Sequence, residues 1–368
     1  MTLYAHITGW GTAIPEKTLT NDDLAKIVET NDEWIRERTG IERRHIAAPQ
    51  ESSASLGADA ALKALKVANL HPRDVDLIIC STSSPQHLFP ATASIIQDRI
   101  GAVNAGAFDL LAACTGFIFA LNMATQAVRG GSVRNAVVIG AETLSRLVDW
   151  NDRTTCILFG DGAGAFVIQG SDQPGGVISA VMRSDGSGGD LLSLPAGGSA
   201  MPATSQTVAD GLHYIQMNGR EVFRFATRVM ANATRETIEK AGLKIEDIDI
   251  IIPHQANLRI IDAAARGLKL PMDKFMVNLQ EYGNTSTASI PIATVEAVES
   301  GRLRRDDKVV FVGFGGGLTW GAVTVIWTGP FPSEKPVNFQ QQRRLATVRS
   351  WLRRLVRFLE GLIWGRKG

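Results

Sequence analysis

Asp74-Val75-Asp76-Leu77-Ile78-Ile79 and Asp247-Ile248-Asp249-Ile250-Ile251-Ile252 are one phrase written twice, 173 residues apart. Each enters an apolar run through a pair of aspartates, the pattern of a strand buried on both faces of an α/β sheet. At the same shift Ala136-Val137-Val138-Ile139-Gly140 falls on Val309-Val310-Phe311-Val312-Gly313. A shift of 157 aligns Gly164-Ala165-Phe166-Val167-Ile168 with Gly321-Ala322-Val323-Thr324-Val325, which implies a longer connection in the first half. Ahead of each first strand, apolar residues recur every three or four positions, over Ser55 to Ala68 and Glu221 to Ala241, and predict helices. The halves read as copies of one unit. An α/β/α/β/α stack with two pseudo-symmetric halves sharing a central helical layer buries all these runs. Two unrelated α/β domains are the plainer alternative.

The chain has 368 residues, 45% of them hydrophobic, and a net charge of +1, enough for two full cores in a globular protein. Its three cysteines, Cys80, Cys114 and Cys156, have no paired spacing, so neither a disulfide framework nor a zinc site is expected and a cytoplasmic setting is. No basic and apolar leader opens the chain, and no apolar run approaches the ~18 residues of a spanning helix. The predicted division is residues 1–172, 173–330 and a tail, 331–368. The segment Ser184 to Gly211, rich in Gly, Ser, Ala and Pro, reads as a long surface excursion that either borders a site or decorates the surface.

The tail starts at the prolines of Pro330-Phe331-Pro332-Ser333-Glu334-Lys335-Pro336. From Phe331 on it holds nine Lys/Arg and two Asp/Glu, a net +7 that leaves the body at −6. Leu345, Val348, Leu352, Leu355, Leu359 and Leu362 recur at helical spacing, with Arg344, Arg349, Arg353, Arg354 and Arg357 between them and Trp351, Phe358 and Trp364 added. This basic amphipathic pattern predicts peripheral membrane contact through residues 343–364. A helix docked on its own body or on a protein partner is the alternative; no nucleic-acid partner is expected.

Chemistry points to three places. Cys114 stands where the run Leu110-Leu111-Ala112-Ala113 passes into a helical segment reaching about Arg129, so its thiol faces the positive end of a helix and is expected to be a thiolate nucleophile. His254 follows the second copy's first strand. Asn284, in Tyr282-Gly283-Asn284-Thr285-Ser286, precedes a predicted helix from Ser289 to Ser300. Alone, His254 reads as a structural histidine and Asn284 as a turn or helix cap. Together with Cys114 they make a nucleophile with two hydrogen-bond donors, suited to acyl transfer on thioesters. Cys80 and Cys156 are assigned to packing.

Ala113-Cys114-Thr115-Gly116-Phe117, His254-Gln255-Ala256-Asn257, Gly283-Asn284-Thr285-Ser286 and Gly313-Phe314-Gly315-Gly316-Gly317 resemble, in order and spacing, the β-ketoacyl-acyl-carrier-protein synthase III family. Asn31-Asp32-Glu33-Trp34-Ile35, Arg38-Thr39-Gly40-Ile41 and Leu158-Phe159-Gly160-Asp161-Gly162-Ala163-Gly164 are similar to it too, over about Leu3 to Trp327. The resemblance implies the duplicated thiolase-like fold, a homodimer, and condensation of an acyl-CoA with malonyl-acyl-carrier protein that starts fatty-acid synthesis without a cofactor or metal. It implies Cys114 as acyl acceptor, His254 and Asn284 as donors to the enolate, and the Cys114 and Gly316 amides as an oxyanion hole. Trp34, Arg38, Arg153 and Asn257 match CoA positions, and Phe89 a residue lining the partner's acyl pocket. Arg259 matches a carrier-protein contact, and Arg266 and Lys269 extend that patch. The tail past Gly329 departs from the family.

Three other readings stand beside this one. A condensing enzyme or acyltransferase of secondary metabolism keeps the same three residues. A dinucleotide-dependent dehydrogenase is suggested by Gly160-Asp161-Gly162-Ala163-Gly164, but a strand-like run follows that motif where the fingerprint needs a helix. A catalytically inactive interaction protein would not need the three residues intact.

Overall fold

The computed structural model describes residues 3–331, 337 and 339–363. The first sheet has strands β1 (Tyr4–Ala13), β2 (Leu77–Ser81), β3 (Gly106–Leu110), β4 (Asn135–Thr143) and β5 (Asp161–Ser171) in the order β1-β5-β4-β2-β3. The second has β6 (Gly176–Ser184), β7 (Ile250–Pro253), β8 (Lys308–Gly315) and β9 (Thr319–Ile326) in the order β6-β9-β8-β7. Both run antiparallel, antiparallel, then parallel across those strands, so the repeat in the sequence is a repeat in space. The copies differ at one edge. The counterpart of β3 is reduced to a single bridge between Ile251 and Phe275.

Eight helices matter here: α1 (Asp32–Thr39), α2 (Ser53–Ala68), α3 (Thr92–Ile100), α4 (Gly116–Arg129), α5 (Gly219–Lys240), α6 (Leu258–Leu268), α7 (Ser289–Glu299) and α8 (Phe339–Ile363). The expected helices from Ser55 and Glu221 each start two residues earlier, because Ser52 and Asn218 supply side-chain caps to the first turns.

Alternation along the strands explains the layers. Ile79, Ile250 and Ile252 point inward with Phe166 and Phe311, meeting Phe117 and Leu121 of α4 and Ile290 and Ala293 of α7. Ile78, Cys80 and Ile139 point the other way, toward Leu65 of α2 and Ile96 of α3. Ile251, Val310 and Val312 do the same toward Phe225 and Met230 of α5 and Ile261 of α6. The five layers are thus α2/α3, first sheet, α4/α7, second sheet, α5/α6. Phe166 bridges the halves, with ring centroids 5.0 Å from Phe117 and 5.8 Å from Phe311. Burying each such side chain contributes about 1.5–3 kcal/mol, which fixes the two sheets against the central helices.

Glu142, near the end of β4, is fully buried in this framework. Its carboxylate accepts from the Ser83 and Ser84 amides, at 3.0 Å each, from the Ser84 and Thr82 hydroxyls, and from Thr287 Oγ1 at 3.2 Å. It ties the loop after β2 to the turn before α7. Burial raises its pKa and the donors counter this. Glu142→Ala would leave those donors facing a cavity, and urea unfolding should show a loss of about 3–5 kcal/mol.

Candidate active site

The shift of 173 that relates the strands also relates the turns that build the site. Ala113–Thr115 and Ser286–Ala288 are equivalent 3-10 turns, leading into α4 and α7. Each starts on a residue held in the left-handed region, Ala113 at φ 45° and Ser286 at φ 48°. A non-glycine residue there is strained by about 1–3 kcal/mol, and only a rigid surround maintains it. These turns place Cys114 and the residues after Asn284 face to face in the central layer. The Ser286 hydroxyl lowers the pKa of the Cys114 thiol, and the Ser286 amide donates to Asn284 Oδ1 at 2.8 Å. With Oδ1 committed, Asn284 presents its NH₂ as the free-facing donor.

Asn284 is held by a second sequence motif. Its amide donates to Leu158 O at 2.8 Å, and Gly160 N donates to Asn284 O at 3.0 Å. Gly283, at φ 64°, must be glycine: a Cβ would come within 2.9 Å of Leu158 O. Arg44 supports this pairing from below. Fully buried, it donates to Asn21 Oδ1 at 2.9 Å and to Ile157 O at 2.7 Å, and burial pulls its pKa to about 10.

His254 leaves β7 with its amide on Val312 O at 2.8 Å. Its Nδ1 lies 2.7 Å from Ser289 Oγ, which also accepts the Gln255 amide at 3.4 Å. The Ser289 hydroxyl therefore turns its own proton to Nδ1, and the imidazole proton goes to Nε2. Nε2 is buried and has no protein partner. Burial alone pushes the pKa of His254 down to about 3, so the ring is neutral. A glycine strand forms the floor. A Cβ on Gly313 would lie 3.3 Å from His254 Cβ, and one on Gly315 only 2.7 Å from the Cys114 amide nitrogen. Both glycines face the same side of β8, about 7 Å apart, so Cys114 and His254 approach one face of that strand two residues apart along it.

One expectation needs correction. The thiol was expected as a thiolate at a helix end, but Cys114 sits in the 3-10 turn before α4 and is buried. Burial pushes its pKa up to about 12, despite the Ser286 hydroxyl pulling the other way; a helix end offers only about 0.3–1 kcal/mol against this. The resting residue is a thiol. Alkylation of Cys114 by iodoacetamide should therefore rise about tenfold per pH unit from about pH 7 to about pH 10 with no plateau. A plateau near neutrality would mean the helix end outweighs burial.

The glycine run after Phe314 is set by what packs against it. Gly315 and Gly316 are required for close approach, since a Cβ on Gly316 would meet Leu192 O at 2.9 Å; only Gly317, at φ 133°, needs the left-handed region. The long excursion borders the site through that Leu192 contact.

The CoA-matching residues gather at one mouth. Arg38 and Arg153 both stack on Trp34, 4.6 and 5.1 Å from ring centroids. Arg38 and Arg259 line a cleft of about 940 Å³ with Arg220, Phe223 and Asp190. Asp190 is two residues from Leu192, so one segment joins this cleft to Gly316. Asn257 is engaged at both ends of its amide, donating to Arg38 O at 3.0 Å and accepting from the Arg259 amide at 2.9 Å; it positions the two arginines. Arg266, exposed, pairs with Asp262, and Lys269 closes the far end of α6. Phe89 is 86% exposed beside Leu88 at 83%. Cys80 and Cys156 are buried, as packing residues should be. Among the described residues no cluster of three His, Cys, Asp or Glu could hold a metal ion.

Sequence reasoning missed Ser286, Ser289, Glu142, Arg44 and Arg220. The repeat held a signal for two of them: at 173 residues Ala113 falls on Ser286 and Gly116 on Ser289.

Comparison with known proteins shows the family. The family model for 3-oxoacyl-[acyl-carrier-protein (ACP)] synthase III matches residues 108–186, and that for its C-terminal part matches residues 238–327. The β-ketoacyl-[acyl-carrier-protein] synthase III of Roseiflexus sp. (strain RS-1) is 51% identical over 328 residues, covering 89% of this chain and all of that protein. The chain belongs to the β-ketoacyl-acyl-carrier-protein synthase III family. The synthase III of Clostridium acetobutylicum is 53% identical over 324 residues, 88% of this chain and 98% of that one. The crystal structure of the Aquifex aeolicus synthase III superposes with a TM-score of 0.81 at 46% identity, covering 88% of this chain and 100% of that chain. The thiolase fold of synthase III is thus the fold described above. In this synthase III chain, α8 lies past residue 327, where the family match ends.

Proposed function

We propose that this synthase III transfers an acyl group from acyl-CoA to Cys114 and condenses it with malonyl-acyl-carrier protein, giving a β-ketoacyl-carrier protein, CO₂ and CoA at the start of fatty-acid synthesis. What supports the reading is that Cys114 and His254, from the two halves, pack against glycines of one strand, while Asn284 accepts from the turn equivalent to the one that carries Cys114. In the first step the Cys114 sulfur bonds to the acyl carbon and the carbon–sulfur bond to CoA breaks. The thiol proton ends on the departing CoA sulfur. The Cys114 and Gly316 amides face the oxyanion formed on the way.

In the second step malonyl-carrier protein loses CO₂, and the electron pair left on carbon is delocalised into its thioester carbonyl. His254 Nε2–H and the Asn284 NH₂ donate to that oxygen. The carbanion then attacks the acyl carbon on Cys114, forming the carbon–carbon bond as the carbon–sulfur bond breaks, and the released Cys114 thiolate takes up a proton from solvent. No metal or prosthetic group takes part in any step.

Trp34, Arg38 and Arg153 offer a stacking face and cations suited to the adenine and phosphates of CoA, with Asn257 holding Arg38 in place. Arg259, Arg266 and Lys269 along α6 offer a basic edge to an acidic carrier protein. Phe89, Leu88, Phe108 on the edge strand β3 and Leu111 are large apolar side chains left exposed, which suits cover by a second copy in a homodimer. The division at residues 172/173 and the tail from 331 follows the repeat, and the reading puts the work in the cytoplasm, with α8 for peripheral contact with a membrane.

Incubating the protein with acyl-CoA and malonyl-carrier protein tests the reading. Free CoA and β-ketoacyl-carrier protein should appear in equal amounts. CoA release without the carrier product would contradict the condensation step.

A further inference from the structure

Helix α8 docks on the body by the wrong face for a soluble helix. Ala346 is buried against Gly101, where an added Cβ would lie 2.9 Å from Ala346 Cβ. Ser350 donates to Asp98 Oδ2 at 2.5 Å, Arg353 reaches Asp98 Oδ1 at 3.2 Å, and Arg354 lies 3.6 Å from Asp98 Oδ2. The contact with the end of α3 is therefore small and polar. Leu345, Val348, Trp351, Leu352, Leu355, Val356, Phe358 and Leu359 are left 36–64% exposed. At 3.6 residues per turn these eight cover about 160° of the circumference, centred opposite Ala346, Ser350 and Arg353. Trp364 and the linker residues 332–336 lie outside the described residues, as does the side chain of Leu362.

An apolar face of this size turned to water needs a cover. The body covers little of it: it holds the opposite face, and of the eight only Trp351 borders the cleft against Ser55, Ala58 and Leu62 of α2. Two features separate the remaining occupants. The first is charge: Arg344, Arg349, Arg353, Arg354 and Arg357 stand against Glu360 in the described helix, and the tail carries +7 against a body at −6. A second α8 would bring like charges together. The second is width. A pairing seam between helices is a narrow stripe, whereas this face spreads well beyond one, with Trp351 and Phe358 on one border, Arg349 and Arg354 flanking it and Arg344 within it at its N-terminal end. Aromatic rings at the border with arginines outside them suit the level of lipid headgroups.

We propose that the outward face of α8 binds the surface of an anionic lipid bilayer, seating the condensing body on the membrane with α8 lying in the plane of the headgroups. Asp98 sets the orientation, because Ser350, Arg353 and Arg354 all hold to it and so aim Leu352, Leu355 and Leu359 away from the body. No helix among the described residues is long and apolar enough to cross a membrane, so the association is peripheral. Arginine attraction makes it sensitive to lipid charge and to salt.

Flotation of the full chain with vesicles of phosphatidylcholine alone, and of phosphatidylcholine mixed equally with phosphatidylglycerol, tests this. The protein should float with the mixed vesicles about tenfold more than with the neutral ones, and less as salt rises. The double variant Leu352→Glu/Leu355→Glu should stay at the bottom of the gradient while condensing acyl-CoA as before. Arg344→Glu/Arg349→Glu should lose the preference for mixed vesicles. If the Leu352→Glu/Leu355→Glu protein floats as well as the parent, or if the parent ignores vesicle charge, the proposal is overturned. Conversion of a larger oligomer to a smaller one by Leu352→Glu/Leu355→Glu, with no flotation of the parent, would overturn it in favour of a second copy.

Discussion

Cys114→Ala protein should gain no acyl mass from acyl-CoA and should condense on the order of 10⁴-fold more slowly or worse, since the covalent step has no other sulfur within reach. Cys80 and Cys156 are buried in packing positions, and burial raises the thiol pKa of both. The fold should survive the change. Cys114 is buried but small, and its turn is held by Gly315 packing against its amide and by the α4 helix beyond it. Loss of a buried sulfur costs about 1–2 kcal/mol at most by the scale for small core truncations. His254 and Asn284 remain in place in this variant, so malonyl-carrier protein should still lose CO₂ slowly. A variant that neither acylates nor decarboxylates would point to a collapsed site instead of a missing nucleophile. Acyl-CoA consumption and CO₂ release, measured separately, distinguish the two.

His254→Ala should behave in the opposite way. The acyl group still reaches Cys114, because no step of acylation uses the imidazole, whereas decarboxylation loses a buried donor aimed at the enolate oxygen. Removing one such donor lowers the rate by on the order of 10²–10³-fold, about 2.7–4 kcal/mol of transition-state stabilisation. The acyl-enzyme should therefore accumulate. The sign of the pH dependence follows from the depressed pKa of His254, about 3: the ring is neutral from pH 5 upward, and condensation should show no inflection from it between about pH 5 and about pH 8. Ser289→Ala frees Nδ1 and lets the proton settle there, so condensation should fall by about tenfold with acylation unchanged. A fall in acylation of the same size would mean that Ser289 only holds the turn.

The fold was readable because a buried parallel strand leaves a continuous apolar run, and the chain writes that run twice. Asp74 to Ile79 and Asp247 to Ile252 become β2 and β7 with the same neighbours, and alternate residues go to the same layers. The missing fifth strand beside β7 was not readable, since a single bridge at Phe275 leaves no periodic trace. Cys114, His254 and Asn284 were readable as polar residues at element ends. What escaped was the support under them. Ser289 became visible only once the fold set it against His254 Nδ1, and Glu142 only because β4 and the Ser286–Ala288 turn meet across 145 residues. The protonation state of Cys114 was misjudged for a related reason. A helix end is local and visible in sequence, while desolvation depends on everything packed around the sulfur. The basic tail was readable as amphipathic, but not the side by which it docks, which is set by one aspartate on α3.

Intact-protein mass spectrometry in two stages tests the central claim most directly: acyl-CoA first, then malonyl-carrier protein. The protein should gain one acyl mass, located on Cys114 by peptide mapping, and lose it when malonyl-carrier protein is added, as β-ketoacyl-carrier protein forms. No mass gain on Cys114, or an acyl mass that malonyl-carrier protein leaves in place in the unaltered protein, would contradict the account.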